Sequence, residues 1–71
     1  MTKLTRLVAA EAYDSLDDLL AEAVFDSVCP GICMNADCTY TTDVEPDQDR
    51  GWCEACGTNS VKSALILAGL I

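Results

Sequence analysis

Five cysteines, Cys29, Cys33, Cys38, Cys53 and Cys56, fall within 28 consecutive residues of a 71-residue chain. Thiolates are soft donors, and four of them around one tetrahedral ion form a common protein metal site. Cys53 and Cys56, followed by Gly57, give the strongest local signal. Their C-x2-C spacing lets two thiolates grip one ion from a tight turn, and the glycine lets backbone amides approach the sulfurs. The matching pair is best supplied by Cys33 and Cys38, a C-x4-C. The alternative pairs Cys29 with Cys33 and leaves Cys38 free. On the preferred reading Cys29, beside Pro30 and Gly31, is a small buried apolar residue rather than a reactive thiol. No cation lies near it in sequence to lower its pKa.

Other chemistry is thin. The chain has no histidine, the commonest general base, so hydrolytic catalysis has little to work with. A redox couple at Cys53 and Cys56 is the enzymatic alternative. Such couples normally open a helix on a βαβ framework, which this length cannot provide. The expectation is a protein without catalytic activity. Twelve acidic residues against four basic ones give a net charge of −8, which argues against a nucleic-acid-binding module needing cations for phosphate.

A chain of this size forms a single domain, residues 1–71, and buries too little apolar surface to be self-sufficient. A metal would supply the missing staple. The N-terminal apolar run is interrupted by Glu11 and Asp14 before it reaches secretory length, and the eight-residue run at 64–71 is too short to span a bilayer. Cytoplasmic location and no membrane contact are therefore expected, and in a reducing compartment closely spaced cysteines read as metal ligands.

Three stretches must position the cysteines. Residues 1–28 form an acidic helical segment. Leu4, Leu7 and Val8 begin a short first helix, and a longer one over 15–27 is capped by Asp14 or Ser15, with Asp17 and Asp18 in its first turn. Leu16, Leu19, Leu20, Ala23, Val24 and Val28 make its apolar face. Residues 29–57 hold the cysteines. There, 39–44 reads as a strand, 45–51 as a turn, and Trp52 and Cys53 begin a return strand that closes a hairpin. Residues 58–71 read as a last helix, capped by Thr58, Asn59 or Ser60, with Val61, Ala64, Leu65 and Ala68 on its main face and Gly69 as its stop.

Residues 32–57 resemble a zinc ribbon: two cysteine pairs, with Tyr40 two residues after the first and Trp52 just before the second. The whole chain resembles the small uncharacterised zinc-ribbon proteins of bacteria and their phages. The first pair departs from the commoner C-x2-C. The resemblance implies a small α+β fold, a zinc-ribbon β-hairpin flanked by an N-terminal helical segment and a C-terminal helix. It also implies structural Zn2+ at Cys33, Cys38, Cys53 and Cys56, with iron as the lesser choice because only one rubredoxin-like knuckle is present. Tyr40 and Trp52 are assigned to packing beside the metal.

Between residues 7 and 49 there are eleven acidic residues and no lysine or arginine. Asp14, Asp17, Asp18, Glu22 and Asp26 recur opposite the helix leucines, and Asp43, Glu45, Asp47 and Asp49 follow in the turn. A solvated surface is the plainer reading. The sharper one is a zinc-binding protein–protein interaction module whose acidic surface meets a basic partner. The alternatives are an acidic phage-type inhibitor that mimics nucleic acid against a host complex, a nucleic-acid-binding zinc ribbon, and the redox-active protein above. Surplus apolar residues on the helices would also support a homodimer. A calcium loop at 43–49 is rejected, since it lacks the ligand spacing and the terminal bidentate glutamate.

Overall fold

A computed structural model of the chain describes residues 2–23 and 27–71. It is a small α+β structure of three helices and a four-stranded antiparallel curled sheet. In chain order the elements are α1 (Lys3–Ala10), α2 (Leu16–Ala23), β1 (Cys29–Cys33), β2 (Thr41–Val44), β3 (Gly51–Cys53), β4 (Thr58–Ser63) and α3 (Ala64–Leu67).

The two N-terminal helices form where periodicity and caps place them. Thr2 caps α1 by accepting from the Thr5 amide at 3.1 Å, and Ser15 caps α2 by accepting from the Asp18 amide at 3.2 Å. Leu7 and Leu19 are fully buried and meet Ile32 of β1 and Ala64 of α3 in one cluster. Leu16, assigned to the same apolar face, is exposed, and so is Val28, which lies beyond the helix in a bend. Val24 and Asp26 lie outside the described residues.

The sheet order is β2-β1-β4-β3. The expected hairpin between 39–44 and the strand at Trp52 does not form. Instead β2 pairs with β1, and β3 pairs with β4, so the two expected partners occupy opposite edges. The missing piece is β1. Its Pro30 and Gly31 read as a helix stop, yet they pair with Asp43 and Thr42 of β2. Proline is tolerable there, because it lies toward the start of the strand and a sheet can spare one donor at such a position. Gly31 serves a close approach: a Cβ there would lie 2.9 Å from both the Lys62 carbonyl oxygen and Val44 Cγ2.

The expected helix over 58–71 is likewise corrected. Residues 58–63 are strand β4, and the helix is the short α3, capped by Ser63 rather than by Thr58, Asn59 or Ser60. Val61, Ala64 and Leu65 are buried as expected, but Val61 faces the core from a strand. Its neighbours are polar or β-branched at 58–61, a pattern that serves a half-buried strand better than a helix. Ser63 is fully buried with its hydroxyl engaged: it donates to the Pro46 carbonyl at 2.6 Å and accepts from the Ile66 amide at 3.2 Å. This ties the β2–β3 connection to the start of α3. Gly69 does stop the helix, with φ +76 and its amide donating to Ile66.

Candidate metal centre

Each hairpin contributes one cysteine pair. Cys33 ends β1 and Cys38 lies in the loop before β2; Cys53 ends β3 and Cys56 lies in the loop before β4. Pairing of Cys33 with Val61 across β1 and β4 brings the two loops to one end of the sheet. There the four sulfurs lie within 4.8 Å of one another. Cys33 Sγ is 3.9 Å from Cys56 Sγ, and Cys38 Sγ is 3.7 Å from Cys53 Sγ. A tetrahedral ion with metal–sulfur bonds near 2.3 Å sets its ligands about 3.8 Å apart. A disulfide would need about 2.05 Å, and all five cysteines are free thiols. The four sulfurs are therefore placed to hold a metal ion.

Local backbone chemistry builds both loops. In the second, the Cys56 amide donates to Cys53 Sγ at 3.4 Å and the Gly57 amide to the Cys53 carbonyl at 2.8 Å. Gly57 has φ +68, a left-handed conformation that closes the turn at little cost for glycine. In the first, the Cys38 amide donates to the Asn35 carbonyl at 3.1 Å, and the longer loop is held from outside by Lys3. The Lys3 ammonium donates to the carbonyls of both Asn35 and Cys38. That contact carries no signal in the sequence, because it joins residues more than thirty positions apart.

A polar chain also reaches the sulfurs. Asn35 Nδ2 donates to Thr58 Oγ1 at 3.4 Å, Thr58 Oγ1 lies 2.9 Å from Ser60 Oγ, and Ser60 Oγ lies 3.1 Å from Cys33 Sγ. With the two hydroxyls donating onward, Cys33 receives a hydrogen bond that favours its thiolate. Burial pushes the Cys33 thiol up, but the bonds from Ser60, from the Asn35 backbone and from Cys38 and Cys53 outweigh it, leaving a pKa of about 6. Cys38 moves the other way. The Tyr40 backbone bond lowers it, but Cys56, burial, Cys33 and Cys53 raise it to about 12. Crowded thiols share protons unequally, and a cation resolves the crowding by taking all four as thiolates.

The preferred four-cysteine set is thus brought together, and the alternative with Cys29 in place of Cys38 is not. Cys29 is buried at the other end of β1, against Ala23 and Leu65. Of the two aromatics assigned to packing, Tyr40 packs half-buried against Cys33, Cys53 and Val61. Trp52 does not pack there: it is 55% exposed, pointing away between the buried Gly51 and Cys53. Ser60, Thr58 and Asn35 were legible only as cap or loop residues; the alternation of strand β4 was the signal that could have aimed Ser60 at the sulfurs. Every acidic side chain among the described residues is exposed. Among those residues no helix is long and apolar enough to cross a membrane. No family model, curated protein or solved structure matches the chain.

Proposed function

We propose that this protein is a non-enzymatic interaction module whose fold is organised by one structural Zn2+ held by Cys33, Cys38, Cys53 and Cys56. The observation that carries the metal reading is the gathering of four sulfurs, two from each hairpin, at tetrahedral spacing. Zinc suits four thiolates and needs no redox partner. A site with four protein ligands leaves no position for substrate or activated water, so its work is structural. The interaction reading draws on the −8 charge and on acidic side chains left in solvent. Such a surface steers toward a basic protein and away from phosphate.

Native mass spectrometry of protein purified without added metal tests the first half: one zinc per chain is expected. Removal by a strong chelator should abolish the cooperative thermal transition. A metal-free chain that melts unchanged would refute it.

A further inference from the structure

We propose that the groove between β2 and β3 is a docking site for a polypeptide segment presenting arginine or lysine side chains. The inference deepens the interaction reading and rests on it for the existence of a protein partner. It does not need the metal to be zinc. The two strands are the sheet edges, and curling of the sheet leaves between them a groove of about 490 Å³. Tyr40, Val44 and Trp52 line it, together with the carboxylates of Asp43, Glu45 and Glu54.

Three features select the occupant. Trp52 presents its indole to water at 55% exposure, although its neighbours Gly51 and Cys53 are buried. A large aromatic side chain held in solvent is a face available to a partner. The three carboxylates are exposed, and none makes an ion pair or side-chain hydrogen bond with another described residue. No lysine or arginine among the described residues lines the groove.

A cation answers both the aromatic face and the carboxylates. Guanidinium stacks on an indole and pairs with carboxylates in one plane, and an ammonium meets the same ring and carboxylates as a point charge without the planar match. An apolar occupant would cover the carboxylates without partners, which is costly. A nucleic acid could stack on Trp52 but would bring its phosphates against three negative charges. The groove therefore fits a basic segment.

Trp52 is the only tryptophan, so its emission reports directly on the groove. The probe is an amidated peptide of alternating glycine and arginine, six residues long. It should change Trp52 fluorescence saturably, with affinity falling as salt rises. Asp43→Asn, Glu45→Gln and Glu54→Gln together should weaken it by about fivefold or more. Asp17→Asn, Asp18→Asn and Glu22→Gln together, on α2, should change it by less than about twofold. Backbone NMR shifts should localise the peptide to 40–45 and 51–54. Equal losses from the two triple variants would overturn the proposal, since binding would then follow overall charge. So would an unperturbed Trp52, or a glutamate peptide or hexathymidylate that binds as well as the arginine peptide. Metal content is read on the same samples. A metal-free chain that binds the peptide in the groove supports the groove and refutes the zinc reading. A zinc-loaded chain that does not bind it refutes the groove alone.

Discussion

Lys3, in the first turn of α1, donates through its ammonium to the backbone carbonyl of Cys38, 35 residues along the chain. The same ammonium donates to the Asn35 carbonyl, so one side chain spans both ends of the turn from Asn35 to Cys38. A charge-assisted bond of this kind is stronger than a neutral one.

Lys3→Met removes that bond and keeps most of the stem. One zinc per chain should remain, but release to a competing chelator should quicken by about tenfold, equivalent to ~1.4 kcal/mol. Stopped-flow absorbance of the chelator measures it. An unchanged rate would show that the first loop holds its shape without α1.

The five cysteines should divide four to one. Serine at Cys33, Cys38, Cys53 or Cys56 should lose the metal and the cooperative melt, because a neutral hydroxyl is a poor zinc ligand. Cys29→Ser should keep full metal content, with a packing loss of about 1–2 kcal/mol from placing a hydroxyl against Ala23 and Leu65. Metal loss from Cys29→Ser with retention in Cys38→Ser would reverse the ligand assignment.

Acid should open the centre from one side. Cys33 holds protons weakly, with a pKa lowered to about 6, while Cys38 holds them strongly, raised to about 12. The sign is direct. The depressed Cys33 favours the folded thiolate form above its ordinary value of 9.0, and that contribution disappears as pH falls through about 6. The elevated Cys38 favours the protonated folded form below 9.0, a contribution lost as pH rises through about 12. In an acid titration followed by cysteine 13Cβ shifts, Cys38 should move toward its thiol value at a higher pH than Cys33. The opposite order would contradict the asymmetry, and Ser60→Ala should narrow the gap by raising Cys33 alone.

Two glycines test backbone and packing separately. Gly31→Ala forces a methyl against the Lys62 carbonyl and Val44 at 2.9 Å, between two paired strands. A loss of about 2–3 kcal/mol is expected. Gly57→Ala meets nothing within 4 Å and costs only the left-handed conformation, about 1 kcal/mol. Thermal denaturation of the zinc-bound forms should rank them in that order.

Much of the site was legible because cysteine spacing encodes it locally. The two N-terminal helices were legible for a similar reason, with Leu7, Leu19 and the Ser15 cap at regular intervals. The strands failed where a local rule met a tertiary one. Pro30 and Gly31 are strong stop signals for a helix, but here they admit the close approach of β2 and β4. At residues 58–63, the run of cap-type residues Thr58, Asn59 and Ser60 looked like a helix start. The Ser60 hydroxyl instead lies against Cys33 Sγ, and the Thr58 hydroxyl accepts from Asn35, both across the sheet. Trp52 was assigned inward by its place next to a ligand, yet strand alternation turns neighbours to opposite faces.

The strand order also separates two local pairings from one between distant residues. β1 with β2 and β3 with β4 are local hairpins, each able to form within microseconds. The β1–β4 seam that joins them pairs Cys33 with Val61, 28 positions apart, and must wait for a long chain closure. An ion caught first by the tight Cys53 and Cys56 pair would recruit Cys33 and Cys38 and draw the seam shut. Folding speed should then rise with free metal concentration until capture is no longer limiting, so this chain would mature at a rate set by the metal supply around it.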